Sequence, residues 1–332
     1  MTASRKRPRL AVTAGDPCGI GPEILIKALA DPRVDRAADI IALGDERQLK
    51  QVARALKVTW PFAATIRDPR KLSTASGTVL FDLQNVERSL MPGQISARAG
   101  RASAEAIEAA VALAQSGVVS GVATGPINKE SLSAAGYKDP GHTEMLQRLT
   151  QSKQVGMLFW ADKMSVALLT THMSLRDALR AVTKSRIVRT LMLFDSEWIR
   201  WIGKQPRIVV AGLNPHAGES GRFGLEEQRE IAPAVEMART RGLQVSGPLP
   251  ADSVFQRVRA GEFDLVLALY HDQGTIPIKL ACGYNAVNVT VGLPFIRTSP
   301  DHGTAMDIAG KGVASAAGLI QAILVAARLQ RP

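Results

Sequence analysis

Short apolar runs alternate with amphipathic segments along almost the whole chain. Runs of β-type composition are Leu10–Ala14, Ile40–Leu43, Thr78–Leu83, Val118–Thr124, Val155–Trp160, Ser165–Thr170, Arg207–Leu213, Asp264–Tyr270 and Ala286–Val291. Between them apolar positions recur at helical spacing over Ile20–Leu29, Ala102–Gln115, Lys184–Trp198, Leu225–Arg241 and Gly312–Leu329. The strand-like runs are continuously apolar rather than alternating, the pattern of strands covered on both faces. Interleaved with helices, they predict an α/β fold of two lobes, with largely parallel sheets flanked by helices. No repeat, heptad pattern or low-complexity linker interrupts the alternation. The length, 332 residues, suits two lobes.

Open α/β sheets bind ligands beyond the carboxyl ends of their strands. Polar and glycine-rich clusters fall at those places: Gly15-Asp-Pro-Cys-Gly-Ile-Gly-Pro-Glu23, Thr124-Gly-Pro-Ile-Asn-Lys129, Thr171-His172, Asn214-Pro-His-Ala-Gly-Glu219 and His271-Asp-Gln-Gly274. All five histidines lie after a strand or in a Gly/Pro-rich loop: His142, His172, His216, His271 and His302. His172, His216 and His271 come directly after strands that read as buried on both faces. Strand ends on one sheet edge converge, so these imidazoles are candidates for a three-ligand catalytic metal site with an open position. Such a donor set suits Zn, Co, Ni or Mn, and Mg less well without carboxylates. Asp272 is a candidate oxygen ligand or acceptor behind His271. A structural, hydrogen-bonded role is the alternative for each histidine taken singly.

Pro140-Gly-His-Thr-Glu144 opens a helical pattern. Free N–H groups at a helix start, with a hydroxyl and an imidazole, make an anion site; a plain N-cap with Thr143 and Glu144 in the first turn is the alternative. Asn288 sits in the apolar run Ala286–Val291, where an amide is unfavourable unless its side chain is used. Lys279 and Arg297 are further candidates, each alone also compatible with a solvated surface.

Composition narrows the classes. The net charge is +11, from 41 Lys+Arg against 30 Asp+Glu, yet aromatics are only 5%. The cations are scattered, as in Arg176, Arg180, Lys184, Arg186 and Arg189, rather than gathered in an aromatic-laced patch, which argues against a nucleic-acid partner. Arg5, Lys6, Arg7 and Arg9 are expected in a frayed tail. No apolar stretch reaches the roughly 18–20 residues of a membrane span, and the start lacks the pattern of a signal peptide. Two cysteines, Cys18 and Cys282, cannot make a disulfide framework. A cytoplasmic protein is expected. There is no Gly-x-Gly-x-x-Gly, no Walker A spacing and no Gly-x-Ser-x-Gly, so neither a Rossmann site nor covalent hydrolysis is supported.

From Leu10 to Leu329 the chain resembles the 4-hydroxythreonine-4-phosphate dehydrogenase family, the vitamin B6 biosynthesis enzyme and its paralogues. The resemblance is carried by Gly15–Glu23, Pro140–Glu144, Asn214–Glu219, Tyr270–Gly274, Gly292–Ser299 and Asp301–Ala305. It implies that His172, His216 and His271 bind a divalent metal, and that His142, Thr143, Lys279, Asn288 and Arg297 bind substrate. Lys279 and His142 are the implied catalytic groups. It also implies NAD or NADP as hydride acceptor and a homodimer with each active site at the subunit interface. A more distant likeness, of Gly15–Ile24 and His302–Gly312 to the cofactor segments of isocitrate and isopropylmalate dehydrogenases, places His302, Gly303, Thr304 and Asp307 near the cofactor. It also suggests residues 1–128 with 300–332 as the cofactor lobe, and 129–299 as the metal, substrate and dimerisation lobe.

The expected reaction is metal-assisted oxidation of 4-hydroxythreonine 4-phosphate, with decarboxylation to 3-amino-2-oxopropyl phosphate. Alternatives are a paralogue acting on threonate or erythronate 4-phosphate, or on an aromatic cis-dihydrodiol such as the terephthalate one. Gly274-Thr-Ile-Pro-Ile-Lys279 resembles the paralogues that act on sugar-acid phosphates. From other classes, a non-catalytic metal- or ligand-binding protein and a metal hydrolase remain open.

Overall fold

The strands are β1 (Arg9–Thr13), β2 (Asp39–Gly44), β3 (Ala64–Ile66), β4 (Val79–Asp82), β5 (Gly121–Thr124), β6 (Gly156–Ala161), β7 (Met164–Leu168), β8 (Ile208–Ala211), β9 (Val245–Leu249), β10 (Leu265–Ala268), β11 (Val287–Val291) and β12 (Ile296–Pro300). They come from a computed structural model that describes residues 7–330; Arg5 and Lys6 lie outside those residues. Arg7 and Arg9, expected in a frayed tail, are instead ordered. Arg7 pairs with Asp39 at 2.8 Å, and the Arg9 guanidinium donates to the Ser73 carbonyl at 2.9 Å.

The chain divides into two compact units. The first holds residues up to Lys153 together with Leu293–Gln330, and the second holds Gln154–Gly292. Residues 129–153 and 293–299 therefore group with the first unit, where the sequence reading placed them in the other lobe.

In the first unit β3, β4, β2, β1, β5 and β12 are paired in that order, every pair parallel. The strands from Leu10 to Val12 and from Ile40 to Leu43 are fully buried, as their unbroken apolar runs require. Helices Ala97–Gln115 and Ala317–Arg328 cover this sheet, and Gly21–Leu29 packs against Ala317–Arg328. The N-cap of Ala97–Gln115 is Ser96, whose side chain accepts from the Arg98 N–H.

In the second unit the order is β11, β6, β7, β10, β8, β9. β11/β6 and β6/β7 are antiparallel; β7/β10, β10/β8 and β8/β9 are parallel. Phe159, Val166, Val209, Val254, Val266 and Ile278 share its core. Helix Lys184–Ile202 begins at Thr183, whose hydroxyl accepts from the Arg186 N–H, and ends at left-handed Gly203.

Three strands were not anticipated. β3 is three residues long, and β9 carries Gly247 and Pro248, tolerable on an outermost strand. β12 reads Ile-Arg-Thr-Ser-Pro, too polar to pass as a buried strand, yet all five residues are buried. Two helices also differ. The segment expected as Leu225–Arg241 contains a π-turn over Glu227–Ile231 before the α-helix Ala232–Thr240. Pro233 has no N–H to give the preceding turn, which accounts for the irregularity. Gly312–Leu329 becomes helical only at Ala317, because Gly312 and Ala314 give their N–H groups to Glu23 instead.

Candidate functional site

The three strand-end histidines all belong to the second unit. β7 runs out toward His172, β8 toward His216 and β10 toward His271; all three strands are mutually parallel through β10. His172 and His271 are brought together, with ring centroids 5.6 Å apart. His271 is the first residue of helix His271–Cys282, and its Nδ1 sits 2.7 Å from Asp272 Oδ1. That contact engages Nδ1, the kind of carboxylate contact found behind metal-bound imidazoles.

His216 opens an unusual turn. His216, Ala217, Gly218, Glu219 and Ser220 all have positive φ, from 42° to 82°. Left-handed backbone costs a non-glycine residue roughly 1–2 kcal/mol, so consecutive residues of this kind persist only where surrounding contacts hold them. Buried Glu227 holds the residues that lead into this turn. Its Oε1 accepts the N–H groups of Leu213 and Asn214 at 2.8 and 2.7 Å, and its Oε2 accepts from Asn214 Nδ2 at 2.8 Å. The His216 ring lies 6.3 Å from that of Phe223.

The strand ends are tied by polar side chains. Thr170 Oγ1 donates to the Leu269 carbonyl at 2.8 Å. Gln273 accepts from the Leu269 N–H at 2.7 Å and donates to the Gly212 carbonyl at 2.7 Å. Glu227 was not singled out from the sequence, and Gln273 was seen only as part of a motif. The available signal was a glutamate in an amphipathic segment falling on the buried side.

The donor chemistry fits a divalent ion: three imidazoles at neighbouring strand ends, one already in contact with a carboxylate. The placed geometry supplies a close pair, and among the described residues no group of three or more His, Cys, Asp or Glu is gathered closely enough to hold an ion. Of the three imidazoles expected to converge, only His172 and His271 are brought together, and His216 lies apart on its own turn. Asn288 also lies in this unit, on β11 opposite Phe159, with Oδ1 buried and without a partner. Lys279 is exposed on the helix that His271 begins.

The first unit holds the anion-binding candidates. Arg297 lies on β12, is 2% exposed, and donates from Nη2 to Thr124 Oγ1 at 2.6 Å. Burial pulls its guanidinium down to about 9, opposed by the Glu144 carboxylate. Thr124, buried at the end of β5, was missed as an individual residue although its segment was noted. His142 is the first residue of helix His142–Thr150, after Gly141. Burial lowers its pKa well below the ordinary imidazole range, the Arg297 cation adds to that, and a hydrogen bond to the Gly125 backbone opposes it. The ring is therefore neutral. With the Gly125 carbonyl taking the ring N–H, the other nitrogen, Nε2, is buried, unpartnered and able to accept. Thr143 is half-buried one residue on. Thr143 and Glu144 fall in the first turn of this helix, as the N-cap alternative has them, but the N-cap is Gly141 and no side chain makes a capping hydrogen bond.

The cofactor candidates also lie in the first unit. Thr304 is buried and its carbonyl accepts the Ile20 N–H at 2.9 Å; a Cβ on Gly19 would come within 2.8 Å of the Thr304 side chain. His302 Nδ1 is 3.0 Å from the Gly303 carbonyl and its Nε2 is buried without a partner, while Gly303 and Asp307 are exposed. Buried Glu23 anchors the chain beyond them, accepting from Ala314 N–H at 2.7 Å, and Lys27 donates to the Ala314 carbonyl at 2.7 Å. The glycines of Gly15–Glu23 are explained by close approach: a Cβ on Gly21 would fall 2.0 Å from the Ala14 carbonyl oxygen. In the same loop, burial, with Asp16 adding, pushes the Cys18 thiol up to about 11, which leaves it protonated and poorly nucleophilic.

Comparison with known proteins matches this architecture. The family model described as pyridoxal phosphate biosynthetic protein PdxA covers residues 36–326. The chain is 45% identical over 324 residues, 97% of each sequence, to a D-threonate 4-phosphate dehydrogenase from Cupriavidus necator. It is 44% identical over 328 residues, 97% of this chain and 95% of the relative, to a 4-hydroxythreonine-4-phosphate dehydrogenase from Beijerinckia indica. A solved 4-hydroxythreonine-4-phosphate dehydrogenase from Klebsiella pneumoniae superposes with a TM-score of 0.91 at 40% identity, covering 99% of this chain and 100% of that one. A terephthalate 1,2-cis-dihydrodiol dehydrogenase from Burkholderia xenovorans gives 0.67 at 27%, covering 97% and 98%.

Proposed function

The chain belongs to the family of the pyridoxal phosphate biosynthetic protein PdxA, and from that premise we propose that it oxidises the C3 hydroxyl of a four-carbon, 4-phosphorylated acid. NAD or NADP accepts the hydride, and a divalent ion held by His172, His216 and His271 assists. The first reading of the substrate is 4-hydroxythreonine 4-phosphate.

One observation carries this reading: a guanidinium, that of Arg297, buried beside Thr124 and a neutral His142 whose Nε2 has no partner. Burying a cation and an unsatisfied imidazole nitrogen is costly unless a ligand uses them. Arg297 takes phosphate or carboxylate oxygens, with the Thr143 hydroxyl and N–H groups at the uncapped helix start supplementing it. His142 Nε2 accepts from a substrate hydroxyl or ammonium, a role its tautomer favours over contact with an anion. Asn288 offers Oδ1 to another substrate donor.

His172, His216 and His271 would hold the ion, which when bound would supply Lewis-acid polarisation of a substrate oxygen. Zn, Co, Mn or Ni suits three imidazoles; Mg suits them less. Oxidation at C3, with a bound nicotinamide as hydride acceptor, would release the hydroxyl proton and give a β-keto acid. Breaking C1–C2 then releases CO2, and the electron pair left on C2 takes a proton, which Lys279 is placed in this reading to supply. From 4-hydroxythreonine 4-phosphate the product is 3-amino-2-oxopropyl phosphate. His302, Gly303, Thr304 and Asp307 are proposed to contact the cofactor.

A second reading, D-threonate 4-phosphate, is favoured by the Gly274-Thr-Ile-Pro-Ile-Lys279 segment and by the name of the relative from Cupriavidus necator. The two substrates differ in an amino or hydroxyl group at C2. Absorbance at 340 nm with NAD or NADP, a divalent ion and each substrate in turn decides between them. Turnover of neither phosphorylated acid, with turnover of an aromatic cis-dihydrodiol, overturns the phosphate reading.

We further propose a homodimer in the cytoplasm, each active site completed by both chains. Supporting this, Ile276 and Leu280 on the His271 helix are 62% and 87% exposed, and Leu175 and Leu179 add apolar surface in the same unit; exposed apolar positions at helical spacing are expected of an interface. No helix among the described residues is long and apolar enough to cross a membrane, and both cysteines are free thiols.

A further inference from the structure

We propose that Glu227 is the positioning residue that presents the His216 imidazole, and that it acts through the left-handed turn rather than by touching ion or substrate. The inference rests on the reading of His216 as a metal ligand.

A chain of L-residues does not hold His216–Ser220 at positive φ by its own preference. Something must fix the turn at more than one point, and the Glu227 carboxylate does so. At the entry it accepts the consecutive N–H groups of Leu213 and Asn214, and also the Asn214 side-chain amide. In the middle it lies against Gly218 so closely that a Cβ there would meet Oε2 at 2.8 Å. The carboxylate is buried with no cation among these partners. A buried anion satisfied by amide donors alone is an arrangement that fixes backbone geometry. Its position is set in turn by the π-turn Glu227–Ile231, a local irregularity of the kind often found at functional sites.

The network continues toward the other two histidines. Gly212, next to Leu213, gives its carbonyl to Gln273, which also holds the Leu269 N–H; the Leu269 carbonyl is held by Thr170. Thr170, Gln273 and Glu227 therefore link the ends of β7, β10 and β8, the strands that lead to His172, His271 and His216. The strand ends that lead to the three imidazoles are thereby tied from behind by side chains that hydrogen-bond to backbone. Glu227 governs the member of the set not already in contact with another.

The test is a titration of full-length protein, stripped by chelator, with Co²⁺, following its visible absorption. Wild type should bind one equivalent with the spectrum of a histidine-ligated ion. Glu227→Ala should weaken Co²⁺ roughly tenfold to a hundredfold and shift the spectrum, while NAD affinity measured separately stays as in wild type. Glu227→Gln, which keeps one oxygen for the two backbone N–H groups but faces Asn214 Nδ2 with a second amide, should fall between; it serves also if the alanine variant does not fold. Co²⁺ affinity and spectrum unchanged in both variants overturn the role of Glu227 alone. A wild-type protein that binds no Co²⁺ overturns the metal reading and this inference together.

Discussion

Arg297 and His142 show how much a single residue's setting matters here. The Arg297 charge is buried on a strand and hydrogen-bonded to Thr124 at 2.6 Å. A buried charge of this kind is a poor stabiliser and a good ligand. Arg297→Met is therefore expected to hold or raise the melting temperature while raising KM at least about tenfold, since a charge-assisted bond to the anion is lost. Calorimetry beside steady-state kinetics checks both halves.

His142 makes a prediction about pH. Its imidazole stays neutral in the folded chain, chiefly through burial, whereas the unfolded chain protonates near about pH 6.5. The unfolded state then gains protons that the folded state does not, so stability from this group is present above that value and lost as pH falls below it. His142→Gln should flatten the fall in melting temperature between about pH 7.5 and about pH 5; an unchanged fall would assign the acid sensitivity to other groups. From sequence, the motif around His142 was legible but its tautomer was not, because the carbonyl that sets it, Gly125, comes from a distant loop.

At the scale of elements, strands and helices with one-sided chemistry were readable, and those whose form depends on a distant partner were not. β1, β2 and β10 announce themselves as apolar runs. β12 does not, because Arg297, Thr298 and Ser299 are polar and two of them are matched by polar partners: Arg297 meets Thr124, and the Thr298 hydroxyl donates to the Ala322 carbonyl at 2.8 Å. The His216 turn was legible as a glycine-rich cluster, while its left-handed path depends on Glu227, which looks like any surface glutamate in the sequence.

Glycine positions test this reading of the elements. Gly21→Ala would set a Cβ 2.0 Å from the Ala14 carbonyl oxygen, and Gly218→Ala one 2.8 Å from Glu227 with φ at +82°. Each is expected to cost on the order of 2–4 kcal/mol in urea unfolding. Gly218→Ala should in addition weaken metal binding, and Gly21→Ala should not. Gly117→Ala, with no atom within 4 Å of the added Cβ, is the comparison for a left-handed glycine free of steric conflict.

The whole chain was legible as α/β with mostly parallel sheets, since that follows from periodicity alone. Assembly is a property of the whole molecule that periodicity does not reveal. Ile276 and Leu280 stand exposed on the helix that His271 begins, and the dimer proposed here covers them. Ile276→Lys with Leu280→Lys should convert a dimer to a monomer in analytical ultracentrifugation and remove turnover with it. A monomeric but fully active double variant would separate the active site from any interface.

The central claim is that hydride transfer from a phosphorylated hydroxy acid needs an ion carried by His172, His216 and His271. The direct measurement is NADH or NADPH formation by protein freed of metal with a chelator, then resupplied with Co²⁺ or Zn²⁺, in wild type and in the alanine variant of each histidine. The account predicts turnover in wild type only with the ion present, and a loss of at least about a thousandfold in every alanine variant. Undiminished reduction by the metal-free protein, or by His216→Ala, would contradict it.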